Sequence, residues 1–140
     1  MRTRSILALA LGIPLVVVGV VLAVVLTSDG RKNIDLQDWV GRDDAWSRQM
    51  MPGARPATGE LCGEKLPCVQ AVTSQNLTMY RFASEDDAAA AARTFGADAH
   101  LSHWIVVRYE PGRLTAAQRQ EFADDLDCVN VGIADDGREC

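Results

Sequence analysis

Hydrophobic and polar positions divide the chain into two unlike parts. Residues 6–26 form one apolar run without a charge, an amide or a hydroxyl, and 15 of these 21 residues are Leu, Ile or Val. As a helix the run is about 31 Å long, which matches the hydrocarbon core of a bilayer. Beyond it, apolar positions occur in short runs separated by Gly, Pro and polar residues. The pattern predicts a single transmembrane helix followed by a small folded domain.

A cleaved signal peptide is the alternative interpretation of residues 6–26. Arg2 and Arg4 precede the run, as basic residues do in both kinds of segment. The apolar core of a signal peptide is usually about 7–15 residues long, so this run is too long for one. Ser28 and Gly30 would supply only a weak cleavage site. We interpret residues 6–26 as an uncleaved anchor and residues 1–5 as a short cytoplasmic tail.

Small residues recur at helical spacing within the run. They form two small-xxx-small pairs, which allow membrane helices to approach closely, although such residues are common in any membrane helix. We consider a homodimer through this stripe, which consists of Ala8, Gly12, Gly19 and Ala23.

Charge and cysteine usage indicate the side of the membrane on which the rest of the chain lies. The part after Lys32 contains ten basic and 18 acidic residues, a net charge of about −8, and all four cysteines. An acidic surface offers no patch for nucleic acid or for anionic lipid headgroups. Disulfide bonds form in oxidising compartments. We expect a single-pass protein of the cell membrane with its C-terminal domain outside the cytoplasm, partnered by the bilayer and by an envelope protein rather than by nucleic acid.

Residues 27–59 have the composition of a juxtamembrane stalk. Trp39, Trp46 and Met50 are spaced i, i+7 and i+11, which favours a short amphipathic helix. The two tryptophans either rest at the membrane interface or pack on the folded domain. Residues 52–59 are rich in Pro, Gly and Ala, which is typical of a linker. The sequence therefore predicts a domain of residues 60–140.

This small domain contains four cysteines, which we expect to form two disulfide bonds. They allow three disulfide pairings, between which the sequence alone does not choose. We favour pairing between nearest neighbours, and neither pair has the spacing of a zinc site or of a redox-active C-x-x-C motif. The predicted bonds are Cys62–Cys68 and Cys128–Cys140.

Between the cysteine pairs the sequence predicts three strands and two helices. Ser84 followed by Asp87, and Thr115 followed by Gln118, are helix-start signals of the capping-box type. The strands are expected at residues 69–73, 77–82 and 104–109, and the helices run from Ser84 to Gly96 and from Thr115 to about Val129.

The element order predicts an α+β fold. A right-handed crossover through the first helix would make the second and third strands parallel. We expect a two-layer α+β sandwich of β-β-α-β-α order, with a short mixed sheet and both helices mainly on one side. Trp104, Val106 and Arg108 share one face of the third strand. They are the candidate interaction surface, provided that the helices leave that face open.

Catalytic motifs give little support to an enzyme. Asp98, His100 and His103 spell D-x-H-x-x-H, and two imidazoles at i, i+3 share a metal ion in some helical sites. No further ligand stands at a motif spacing, so we interpret the histidines as surface loop residues and expect no cofactor. The leading hypothesis is a non-enzymatic interaction or sensing module. The alternative is a small envelope enzyme or metal-dependent binder that uses these three residues.

Overall fold

The computed structural model describes residues 34–130, which all belong to one compact unit, Asn33–Cys140. The described residues form five strands, four α-helices and two 3₁₀ turns. The strands are β1 (Arg55–Pro56), β2 (Cys68–Thr73), β3 (Leu77–Phe82), β4 (Ala99–Ser102) and β5 (Ile105–Tyr109). The helices are α1 (Ala45–Met50), α2 (Thr58–Leu61), α3 (Glu85–Phe95) and α4 (Ala116–Asn130), and the 3₁₀ turns are Leu36–Trp39 and Gly96–Asp98.

The five strands form one antiparallel sheet in the order β1-β2-β3-β5-β4. The predicted β2–β3 hairpin is confirmed, with Thr73 opposite Thr78 and their hydroxyl oxygens 2.8 Å apart. Ser74 closes the turn, because its hydroxyl donates to the carbonyl of Leu77 and its backbone N–H donates to the same oxygen. A bulge interrupts the pairing between Cys68 and Gln70.

The predicted mixed sheet is wrong, and the reason is strand β4. The chain reverses at a two-residue loop, His103 and Trp104, so β5 runs antiparallel to both β3 and β4. The connection through α3 does join two strands of the same direction, but those strands are β3 and β4, with β5 between them. Ala99–Ser102 carries His100 and Ser102, and this polar character hid the strand from the hydrophobic pattern.

Both long helices begin as their capping signals predict. Ser84 accepts a hydrogen bond from the Asp87 N–H at 3.2 Å, and α3 ends at Gly96, whose φ of +66° suits glycine. At the start of α4 the Gln118 side chain accepts from the Thr115 N–H at 2.9 Å, and the Thr115 hydroxyl accepts from the Gln118 N–H at 3.2 Å. These reciprocal bonds satisfy backbone donors that a helix otherwise leaves unpaired.

The helices lie on opposite faces of the sheet, so the prediction that both pack mainly on one side is wrong. Ala88 and Ala91 of α3 pack in one core cluster with Val106 of β5. Phe122 of α4 packs in a second cluster with Val107, the next residue of β5. Since successive residues of a strand point to opposite faces, the sheet is the middle of three layers. Both valines are fully buried, so the strand is covered on both of its faces.

The segment before Glu60 is part of the folded domain and is not a stalk. Leu36, Trp39 and Met50 are buried in the same core cluster as Phe122. The Leu36 N–H also donates to the Gln70 side chain of β2 at 2.9 Å. The boundary at Glu60 is therefore too late along the chain, because the apolar residues ahead of it complete the layer that α4 begins.

No helix within residues 34–130 is long and apolar enough to cross a membrane. The predicted span at residues 6–26, its small-residue stripe and the short tail before it lie outside the described residues.

One of the two predicted disulfides is confirmed. Cys62 and Cys68 are bonded, with their Cα atoms 5.0 Å apart, and they close the loop that leads into β2. Cys128 is also disulfide-bonded. Its predicted partner, Cys140, lies outside the described residues.

Replacing Cys62 and Cys68 together by alanine is expected to lower the free energy of unfolding by about 2–3 kcal/mol. Crosslinking a loop of this length restricts the unfolded chain by roughly that amount in the chain-entropy model. Urea titration of the variant and the native protein measures the difference. Replacing the exposed Glu64 and Lys65 of the same loop by serine is the matched control, and we expect it to change stability by less than about 0.5 kcal/mol. Equal effects in the two variants would contradict the prediction.

Candidate binding groove

A groove of about 320 Å³ lies between the segment of residues 36–50 and helix α4. Its walls carry apolar and aromatic side chains with one charge of each sign, Arg42 and Asp125. We call it the tryptophan groove and define it by Trp39, Arg42, Trp46, Phe122, Asp125, Leu126 and Val129.

Short capped helices hold the two tryptophans in place. The Asp35 carboxylate accepts from the Gln37 N–H at 2.9 Å at the start of the 3₁₀ turn that carries Trp39. Asp44 caps α1, which carries Trp46, by accepting from the Ser47 hydroxyl at 2.7 Å and from its N–H at 2.8 Å. These bonds from Ser47, with the side-chain bond foremost, lower the pKa of Asp44.

Aromatic contacts form the floor of the tryptophan groove. The Trp46 and Phe122 rings stack with centroids 5.5 Å apart, and Tyr109 meets Phe122 edge-on at 6.4 Å. The Arg42 guanidinium lies 5.2 Å from the centroid of the Trp39 ring, within the range of a cation–π contact. Of the two alternatives for the tryptophans, the membrane interface and the folded domain, the structure shows both rings packed on the domain.

Asp125 is the acidic residue of the groove, and its surroundings disfavour the ionised form of its carboxyl group. Partial burial raises the pKa of Asp125, and the neighbouring negative charges of Glu121 and Asp124 raise it further. The negative charges on the wall contributed by α4 therefore repel one another, and the folded protein stabilises them poorly.

Asp125→Asn is expected to raise the unfolding midpoint at pH 7. A carboxyl whose folded-state pKa is raised favours folding while it is protonated, below its unfolded value of about 3.8. That contribution is lost as the pH rises through the folded-state pKa, so the native protein is penalised at pH 7 and the amide is not. Urea titrations at pH 7 and pH 3 test this, and the gain should be absent at pH 3. An equal gain at both pH values would contradict the prediction.

Trp46 buries an indole N–H without a partner. Among the described residues, its Nε1 is shielded from solvent and makes no hydrogen bond. A buried unsatisfied donor costs about 1–3 kcal/mol, and phenylalanine would keep a ring against Phe122 without that donor. We therefore expect Trp46→Phe to leave the free energy of unfolding within about 0.5 kcal/mol of the native value, or to raise it.

Trp39→Phe is the matched control for this prediction, and urea titration measures both variants. Trp39 is buried in the core and lies under Arg42, so we expect its truncation to cost about 1 kcal/mol. A larger loss at Trp46 than at Trp39 would mean that the Trp46 ring contributes more than its unpartnered donor costs.

A row of polar contacts fastens β4 to α4. Asp98 immediately before the strand, and His100 and Ser102 within it, each contact a residue of the helix. We call this row the polar ladder, and its three pairs are Asp98–Arg119, His100–Asp127 and Ser102–Asn130.

Two pairs of the polar ladder, His100–Asp127 and Ser102–Asn130, are largely shielded from water. His100 Nε2 lies 3.2 Å from each carboxylate oxygen of Asp127, and their side chains are only 15% and 7% exposed. The Asn130 amide donates to the Ser102 carbonyl at 2.7 Å and to its hydroxyl at 3.0 Å. Buried polar groups of this kind stabilise a fold when they are paired, so these hydrogen bonds favour the observed position of α4 at the edge of the sheet.

The D-x-H-x-x-H constellation does not converge on one point. Asp98 contacts Arg119 at 2.9 Å, His100 contacts Asp127, and His103 contacts Glu85 at 3.0 Å. Within residues 34–130 no group of three or more metal-ligating side chains could hold an ion. The positions of these three residues therefore do not support the alternative in which they share a metal ion. Interpreting both histidines as surface loop residues is correct for His103, which lies in the β4–β5 turn, and wrong for His100, which lies in a strand and is mostly buried.

The face predicted as an interaction surface is covered. Val106 is fully buried beneath the alanine helix α3, and Trp104 is buried as well. Arg108 alone reaches solvent, with its guanidinium 5.4 Å from the centroid of the Phe95 ring. The condition set for this surface, that the helices leave it open, is not met, because small alanine side chains let α3 lie directly on the sheet.

Sequence reasoning missed the tryptophan groove although its spacing was visible. Trp39 and Trp46 were interpreted as one face of a single helix, whereas Gly41, with φ +76°, separates two short helices. Phe122 and Leu126, four residues apart on α4, form the opposite side of the groove. The available signal was that the apolar residues around Trp39 and those of α4, which are distant in sequence, each required an apolar surface to pack against.

No protein-family model matches the chain, and no curated protein or solved structure matches it.

Proposed function

We propose that this chain is a single-pass membrane protein whose acidic domain lies outside the cytoplasm and acts by binding a partner rather than by catalysis. The tryptophan groove is the proposed binding site. The anchor is the apolar run of residues 6–26, whose length suits a bilayer.

The observation that carries this proposal is the Cys62–Cys68 disulfide within the folded domain. Structural disulfides persist in oxidising compartments and are rare in the cytosol. An apolar run preceded by Arg2 and Arg4, together with such a bond in the domain that follows it, fits export of the domain across a membrane.

The groove supports a binding role through its size and lining. A volume of about 320 Å³ is at the lower end of the range of small-molecule pockets and suits one or two side chains of a partner. Aromatic side chains with a few charged groups at the rim are typical of recognition sites.

Fractionation and thiol labelling of cells that produce the full chain test the proposal. We expect the intact chain in the membrane fraction after alkaline extraction. We also expect its cysteines to react with a membrane-impermeant maleimide on intact cells only after treatment with a reductant. A chain in the soluble fraction, or thiols that react only after the cells are permeabilised and without a reductant, would overturn it.

A further inference from the structure

We propose that the tryptophan groove recognises a peptide segment of a partner protein in which an arginine or lysine stands beside an apolar side chain. This deepens the proposed function and rests on it only in placing the partner outside the cytoplasm. The groove itself is a property of the folded domain.

The aromatic floor suits the apolar and the cationic parts of such a segment. Trp39 and Trp46 present ring surfaces, and cations bind over aromatic faces, best over tryptophan. The chain already places one cation in this way, since the Arg42 guanidinium lies over the Trp39 ring. A partner's basic side chain would meet the same kind of surface deeper in the groove, towards Trp46 and α4.

The wall formed by α4 favours a positively charged ligand. Asp125 lines the groove, and Glu121 and Asp124 lie one turn and one residue before it on the same helix. Their mutual repulsion and the partial burial of Asp125 raise its pKa, and a bound cation would relieve both. An anionic ligand would add a further negative charge to this wall.

The end of the groove provides an apolar contact beside these charges. Val129 lines the groove and is 59% exposed. Burying it against an apolar partner residue is favourable in proportion to the area removed from water. A lipid surface fits less well, because anionic headgroups would be repelled by Asp125 and its acidic neighbours.

Isothermal titration of the full chain in phosphatidylcholine nanodiscs tests the proposal. The probes are two capped hexapeptides, one alternating leucine with arginine and one alternating leucine with glutamate, and empty nanodiscs are the blank. We expect saturable binding of the basic peptide, at least about tenfold tighter than that of the acidic peptide. No saturable binding above the blank, or equal binding of the two peptides, would overturn the proposal.

Two single substitutions locate the binding. Asp125→Asn is expected to weaken the basic peptide about three- to fivefold, the range for one partly exposed charge pair. Asp86→Asn removes the same charge from α3, on the opposite face of the sheet, and is expected to change affinity less than twofold. Because Asp125→Asn should also stabilise the fold at pH 7, weaker binding cannot be attributed to unfolding. Equal weakening by the two variants would place binding elsewhere and overturn the proposal.

These outcomes are independent of the cell experiment. Binding of the purified chain with the expected pattern would uphold the groove even if the thiol labelling placed the domain in the cytoplasm. If the domain lay outside the cytoplasm but bound neither peptide, the proposal of a membrane-tethered module would stand and the proposal of a basic partner would be rejected.

Discussion

Truncating Phe122 to alanine is expected to lower the free energy of unfolding by about 3–5 kcal/mol. The ring is fully buried, stacks on Trp46 and meets Tyr109 edge-on, so its loss leaves a cavity where α4, α1 and β5 meet. A domain of this size is stable by only about 5–15 kcal/mol, so one substitution would remove a large part of that margin. Urea titration followed by tryptophan fluorescence measures the loss.

Phe122→Leu is the matched variant for this result. It keeps an apolar side chain of similar volume and loses only the ring contacts, so the expected cost is below about 1.5 kcal/mol. If the alanine and leucine variants were equally stable, the ring would not be the centre of this layer. A loss of less than 1 kcal/mol for alanine would contradict the position of α4 on the sheet.

Replacing Asp127 by alanine is expected to cost about 3 kcal/mol. His100 would keep its position between β4 and α4 but lose both carboxylate oxygens, and breaking a buried pair by removing one partner is strongly destabilising. Asn130, at the end of the same helix, would remain bonded to Ser102. The loss should therefore be local to the middle of the polar ladder, and hydrogen exchange of β4 amides should rise more than that of β3 amides.

Two further substitutions on α4 make this second result specific. Asp127→Asn retains an oxygen that can accept a hydrogen bond from His100, and we expect it to cost about 1 kcal/mol. Glu121→Ala removes an exposed acidic side chain from the same helix and should change the free energy of unfolding by less than about 0.5 kcal/mol. If Asp127→Ala cost no more than Glu121→Ala, the polar ladder would contribute nothing to stability.

Local signals predicted the elements whose stabilising contacts are close in sequence. The β2–β3 hairpin depends on Ser74 and its neighbours, α3 on Ser84, and the start of α4 on Thr115 and Gln118. The Cys62–Cys68 bond joins residues only six apart. In each case the partner groups lie within a few residues, so the residue types and their spacing are sufficient.

Contacts between distant residues could not be predicted in the same way. Strand β4 has an unusual composition because the partners of His100 and Ser102 are Asp127 and Asn130, both on a helix 27–28 residues later. Nothing local to residues 99–102 marks them as half-buried.

The same limit explains the stalk and the groove. Leu36 is held by Gln70, 34 residues away, and Trp46 by Phe122, so a segment with the composition of a linker becomes part of the core. Whether the apolar residues of this segment pack against those of α4, and on which face of the sheet they do so, depends on the topology of the whole domain. The missing strand alone was enough to reverse the predicted direction of β5.

The outer strands of the sheet affect how readily copies of the domain can add to one another. At one edge, β1 is only two residues long and one of them is Pro56, which has no N–H to offer a neighbouring strand. At the other edge, the last carbonyl of β4 is already taken by the Asn130 amide. Because open strand edges are the templates on which chains add to one another, both features oppose the addition of further strands at these edges.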